Sequence, residues 1–136
     1  IQASHPSDSI VRKLYALAAQ CQTKIGDTSG ALNTLQEGKK IYPNDAELLF
    51  TEGALRLENR DYQGAISVYR TLLQSEDRPH FGSVVEGLRG SKGKHNLAVA
   101  LWQSGDQPQA EKLWKEVTQE QPTFLPAYRG LGEALL

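Results

Sequence analysis

The chain contains no methionine and only one cysteine, Cys21. A single thiol excludes an internal disulfide, so cysteine usage gives no support to an oxidising compartment. No apolar run approaches the roughly 18 residues needed to span a bilayer. Residues 1–10 lack the basic stretch and apolar core of a secretory signal. Cytoplasm is therefore the default expectation, and no membrane partner is expected. Neither sign of charge is in excess, since 15 basic and 16 acidic residues leave a formal net charge of −1. No global field selects nucleic acid or an acidic substrate, and any electrostatic preference must come from a local patch. Aromatics are not interleaved with basic residues as base stacking would require, so no nucleic-acid partner is expected. His5, His80 and His95 are scattered, with no cysteine or carboxylate at metal-ligand spacing. No metal and no cofactor are expected.

What the chain does have is a repeat. Ala31, Ala65 and Ala110 are each followed four positions later by a large side chain, Leu35, Tyr69 and Trp114. The first two alanines are 34 residues apart, and the third follows after 34 plus an extra 11. A small residue stands twelve before each alanine (Ala19, Gly53, Ala98) and an aspartate four before (Asp27, Asp61, Asp106). Pro43, Asp77 and Pro122 stand twelve after. A period of ~34 residues reads as a helix–turn–helix unit that buries its apolar face only by stacking on its neighbours.

The spacing predicts paired helices. The first helix of repeat 1 spans residues 9–24, capped by Asp8 or Ser7, with Ile10, Leu14, Leu17, Ala18 and Cys21 as its buried face. On that reading Cys21 is a small core hydrophobe. Residues 25–27 turn the chain, and Asp27 caps a second helix over 30–41. In repeat 2, Asn44 or Asp45 caps a helix over 46–58 and Asp61 caps one over 62–74. In repeat 3, a helix ends near Gln103, and Asp106 caps another over 107–120, with Pro108 in its first turn. Residues 124–136 match a fourth first helix. The repeats are thus about 9–43, 44–77, 91–122 and a partial 123–136, with an insertion over 78–90. Inside it Phe81, Val84, Val85 and Leu88 predict a short helix over 81–88. Ala19, Gly53, Ala98 and Gly132 should lie where paired helices approach closely, with Ala31, Ala65 and Ala110 facing them. The missing initiator methionine and a helical pattern that runs to Leu136 predict a piece of a longer protein.

This frame resembles the tetratricopeptide repeat family over nearly the whole chain. The resemblance implies an all-α solenoid, a right-handed superhelix of antiparallel helix pairs with about three and a half repeats. A narrower likeness begins at Gly87. The run Gly87-Leu88-Arg89-Gly90-Ser91-Lys92-Gly93-Lys94-His95-Asn96-Leu97-Ala98 is similar to a segment of bacterial family 2 glycosyltransferases that carry such repeats. So are Gly105-Asp106, Ala110-Glu111, Trp114, Pro122, Leu125-Pro126-Ala127-Tyr128 and Gly130-Leu131-Gly132-Glu133. That likeness implies a nucleotide-sugar transferase domain attached elsewhere. No Asp-x-Asp pair of the kind that holds a metal-bound sugar nucleotide occurs here, so the segment itself is read as non-catalytic.

The family lines its concave groove with fixed positions of each first helix. Carried over, the resemblance implies Lys13, Gln20 and Lys24 from repeat 1, with Glu47 and Phe50 from repeat 2. Repeat 3 gives Lys92, His95, Asn96, Val99, Trp102 and Gln103, and repeat 4 gives Arg129. Ala16, Leu17, Thr23, Thr51, Ala54, Leu57, Glu58 and Glu133 occupy further positions of the same set. Phe50 and Trp102 are large aromatics that a partner would bury, or that pack on neighbouring helices. Arg89, Lys92, Lys94 and His95 form a basic run; a solvated turn is favoured over an anion site. A phosphate loop fits poorly, because Leu88 stands where glycine is needed and His95 follows Lys94. The carboxylate clamp of chaperone-binding repeats wants lysine and asparagine where this chain has Ala16 and Gln20. The sequence therefore predicts a scaffold that binds a partner peptide or domain in its groove. Self-association through uncovered Leu131, Leu135 and Leu136 is a further expectation.

Overall fold

The structure, a computed structural model, describes residues 6–74 and 90–135, with side chains over 10–74 and 90–133. Seven helices make up these residues: α1 Pro6–Lys24, α2 Thr28–Ile41, α3 Ala46–Glu58, α4 Tyr62–Gln74, α5 Ser91–Ser104, α6 Gln107–Glu120 and α7 Leu125–Leu135. There is no strand among them. Adjacent helices pair as α1–α2, α3–α4 and α5–α6, and each pair stacks on the one before. The fold is an all-α solenoid of helix pairs. The helix expected over 81–88, together with Asp77, His80, Arg89 and His5, lies outside the described residues.

The caps follow from the aspartates. Asp27 accepts from the Gly30 amide at 2.9 Å, Asp61 from Gly64 at 3.0 Å and Asp106 from Gln109 at 3.4 Å. Asp45, rather than Asn44, accepts from Leu48 at 3.0 Å and starts α3. Each bond satisfies an amide that the first turn leaves open. Helix α1 begins at Pro6, so Ser7 and Asp8 fall inside it rather than ahead of it. Helix α2 begins two residues earlier than expected, at Thr28.

The turn within each pair repeats in backbone geometry. Gly26, Arg60 and Gly105 occupy the same frame position and all have positive φ, at 84°, 63° and 104°. The following aspartate amide returns to the helix, to Gln22, Arg56 and Leu101 carbonyls, each at 2.8 Å. These bonds close the helix ends through a left-handed residue. Arginine holds that conformation at a cost glycine does not carry.

Packing obeys the small-residue rule in three of four places. Ala19, Ala31, Ala65, Ala98 and Ala110 are fully buried, and Gly53 is buried as well. A Cβ at Gly53 would lie 2.6 Å from Tyr69 Cζ, so the glycine is what admits the ring. Gly132 departs from expectation: it is exposed and has open space around it, while Gly130 is the buried glycine of α7. The larger core joins α3 to α7 around Tyr69, Leu72, Leu97, Leu101, Trp114 and Val117; a smaller one joins α1, α2 and α3 around Ala16, Ala19, Leu35, Leu48 and Leu55.

Helix α1 corrects the sequence reading. Ile10, Leu14, Leu17, Ala18 and Cys21 are exposed, and the buried residues are Ala16 and Ala19. Helices α2 and α3 both pack on the alanine side. Periodicity had located an apolar face correctly, but it says nothing about whether a neighbour lies against that face. Arg12 ties α1 down, 3.5 Å from Asp45 and with its guanidinium 4.6 Å from the centre of the Tyr42 ring.

Candidate protein-interaction surface

Two aromatic side chains from second helices organise the face built by the first helices. Tyr69 of α4 and Trp114 of α6 share one frame position. Tyr69 passes Gly53, meets Phe50 edge-on at 5.9 Å, and accepts a hydrogen bond from Asn96 Nδ2 at 2.9 Å. Burial pushes its hydroxyl up to about 12, although the Asn96 bond works the other way. Trp114 lies against Gly130, where a Cβ would collide with its indole. Asn96 and Gly130 are themselves equivalent positions, 34 residues apart. The larger indole is thus matched by the smaller partner, and the tyrosine by a polar one.

Trp114 also contacts two of the expected groove residues. Its Nε1 donates to His95 Nδ1 at 3.0 Å, and the Trp102 ring lies 6.0 Å from its own. His95 packs edge-on to Phe124 at 5.7 Å. Burial pushes the His95 pKa down and so disfavours the charged imidazole, and because Nδ1 accepts from Trp114 the ring proton belongs on Nε2. His95 therefore brings no cation to the basic run. Lys94 Nζ sits 2.6 Å from Glu120 and 3.7 Å from Glu116, and it too is neutralised. Of that run's described members only Lys92 stands exposed without an acidic partner.

The remaining expected groove residues fall into two groups. Lys13, Gln20, Lys24, Lys92, Gln103 and Arg129 are exposed, while Glu47, Phe50, Asn96, Val99 and Trp102 are half-buried. Phe50, Leu57, Val99 and Trp102 back onto the larger core while keeping part of their surface open. Leu57 and Trp102 are the same frame position on α3 and α5, and Ala54 and Val99 are another. Ala16, by contrast, is fully buried and cannot line a groove.

Sequence reasoning missed Glu52. Its frame position holds Ala18, Leu97 and Leu131 in the other repeats, and a lone acid in an apolar column was the available signal. The carboxylate is 1% exposed and bridges Lys39 Nζ of α2 at 2.6 Å and Arg56 Nε at 2.8 Å. Arg56 continues to Asp61 at 2.7 Å. Burial alone would lower the Arg56 pKa, but the hydrogen bonds it donates to Glu52 and Asp61 raise it. The Arg56 bond, with the Gly64 amide, holds Asp61 below the usual carboxylate range. The network clamps the first pair to the second and links the cap of α4 to that clamp.

Among the described residues no three His, Cys, Asp or Glu side chains gather as metal ligands. No described helix is long and apolar enough to cross a membrane. An open depression of 450 Å³ runs along α6 between Pro108, Glu111, Lys112, Lys115, Glu116 and Gln119. All of its walls come from one helix, so it is a ridged surface rather than an enclosed site.

No protein-family model and no curated protein matches the sequence. Among solved structures the chain is similar to a mutant form of the O-GlcNAc transferase of Thermobaculum terrenum, with a TM-score of 0.75 and 20% identity. The match covers 97% of this chain and 23% of that one. At that identity the likeness concerns architecture alone, and it agrees with the stacked pairs described above: this chain has the fold of a helical-repeat solenoid.

Proposed function

We propose that this chain is a non-catalytic scaffold of tetratricopeptide type that binds a peptide or domain along the face of α1, α3, α5 and α7. One observation carries this reading. On neighbouring first helices, equivalent positions hold Ala54 and Val99, then Leu57 and Trp102, all partly open and apolar. The last three rest on the core behind them. Such residues are already ordered, so a partner that covers them gains apolar burial with little further loss of side-chain freedom. Exposed Lys13, Gln20, Lys24, Lys92, Gln103 and Arg129 form a polar margin, the usual arrangement around an apolar contact.

The test is selection of binding peptides from a random library on the purified chain. Selected peptides should lose tenfold or more in affinity on Val99→Lys or Leu57→Lys, with helicity kept. Lys112→Glu, on the outer face of α6, should leave binding unchanged. Peptides indifferent to both groove substitutions would refute the reading.

A second reading follows from the run Gly87 to Ala98, whose similarity to repeat-bearing family 2 glycosyltransferases was noted above. On it the chain is an accessory region that holds an acceptor polypeptide near a transferase domain or mediates self-association. Sequencing the surrounding open reading frame decides it. A nucleotide-sugar domain with an Asp-x-Asp pair supports this reading, and its absence removes it.

A further inference from the structure

Equivalent first-helix positions carry Phe50 in the second repeat and His95 in the third. Each meets the aromatic ring that the second helix of its own pair supplies. Phe50 lies edge-on to Tyr69, and His95 Nδ1 accepts from Trp114 Nε1 at 3.0 Å. The two contacts differ in one chemical respect. Phe50 meets Tyr69 through apolar surface at any pH, whereas the bond from Trp114 needs a free lone pair on the imidazole. A proton on Nδ1 removes that lone pair and sets one N–H against another.

The surroundings give the two rings unequal freedom to respond. Trp114 is 4% exposed, so loss of its acceptor strands a buried donor. His95 is half-buried at a groove position, and its imidazolium gains water by turning toward the groove. The Trp102 ring, 6.0 Å from that of Trp114, rests on the same cluster. A shift of the indole therefore reaches the apolar face on which the scaffold reading rests.

The ionisable neighbours do not hold a charged ring in place. On α5 itself Lys94 is taken up by Glu116 and Glu120 of α6, and Lys92 is exposed. From α4 comes Tyr69, whose hydroxyl is bonded to Asn96. By frame position Glu47 of α3 and Arg129 and Glu133 of α7 border the groove on either side. Burial is the cause that lowers the His95 pKa, and no charge among the described residues contributes. The acceptor form therefore prevails at pH 7.5, and protonation falls below about pH 6.5.

We propose that His95 is a proton-operated latch on the groove: on taking up a proton it releases Trp114, turns outward and unseats Trp102, so that an apolar ligand is let go in mild acid. The proposal rests on the scaffold reading, since the groove is the surface it controls.

The chain's 2 tryptophans, Trp102 and Trp114, both lie in this cluster, so intrinsic emission reports the latch. Titrated from pH 7.5 to 5.0, emission should change through one transition centred below about pH 6.5. Acrylamide should quench at least twofold more strongly at the acid end, with helical circular dichroism kept. His95→Gln, and His95→Phe, which copies the second repeat, should each remove the transition. The ligand arm uses peptides selected from a random library at pH 7.5, remade with blocked ends and without Asp, Glu or His. Their affinity should fall fivefold or more at pH 5.5 in the native chain, and less than twofold in either variant. A transition that only accompanies loss of helix, or that survives in both variants, overturns the proposal. So does a full transition with peptide affinity unchanged. Flat emission with groove-dependent binding intact overturns the latch alone. A library that yields no groove-dependent peptide refutes the scaffold reading, and the latch falls with it.

Discussion

Tyr69 of α4 lies across Gly53 of α3 with no room for a methyl group between them: a Cβ at position 53 would fall 2.6 Å from the ring. Tyr69 is fully buried and its hydroxyl is held by Asn96, so the ring has nowhere to retreat. Alanine brings a helix-propensity gain of up to ~1 kcal/mol, against an overpacking cost of ~1–3 kcal/mol. Gly53→Ala should therefore destabilise by about 1–2 kcal/mol in urea denaturation. Gly132→Ala, in open space, should instead stabilise by up to ~1 kcal/mol. Equal effects at the two positions would contradict this packing.

Arg60 is the one described non-glycine residue with positive φ, where the other two repeats use Gly26 and Gly105. Relief of the left-handed strain outweighs the added freedom of the unfolded chain. Arg60→Gly should raise stability by about 0.5–1 kcal/mol, read as a higher thermal midpoint. A lower midpoint would show that the arginine side chain contributes more than its backbone strain costs.

Removing the Glu52 charge leaves Lys39 and Arg56 facing a buried, neutral position. A fully buried pair broken in this way costs about 3–5 kcal/mol. Here the cations keep 25% and 26% of their side-chain surface open and can rehydrate, so Glu52→Gln should cost nearer ~2 kcal/mol. Glu37→Gln, which removes an exposed contact to Lys40, should change stability by less than ~0.5 kcal/mol. Denaturation of both variants side by side checks the contrast.

Stability should fall on mild acidification, and His95 should account for part of the fall. In the unfolded chain its imidazole takes a proton near pH 6.5, but in the folded chain burial lowers that value. As pH drops below about 6.5 the unfolded state binds more protons, and stability decreases until the folded pKa is passed. Protonation also removes the acceptor for Trp114 Nε1. His95→Gln retains an acceptor and does not titrate, so its urea midpoint should change less between pH 7.5 and 5.5. Identical slopes for both chains would remove His95 from the acid response.

The Asp27, Asp61 and Asp106 caps, the helix pairs and the close contacts at Ala19, Gly53 and Ala98 were legible in the sequence, because each depends on residues a few positions apart on one hairpin. Positions in the expected groove could be listed but not graded. Trp102 and His95 share Trp114 as a neighbour, and Phe50 and Asn96 share Tyr69, through side chains arriving from separate helices. Glu52 was hidden for a related reason, since its cation Lys39 belongs to another repeat's helix. The basic run lost its character in three dimensions, with Lys94 held by Glu120 and His95 turned into an aromatic cluster.

The sequence by itself determined the period, the pairing and the turns, since backbone hydrogen bonding and local side-chain size act within one helical hairpin. Tertiary structure alone decided which apolar faces are covered. Ile10, Leu14 and Leu17 have the spacing of a buried stripe, yet they meet solvent while Ala16 and Ala19 are enclosed. Burial requires a second surface at contact distance, and where that surface lies is fixed by the stacking of whole repeats.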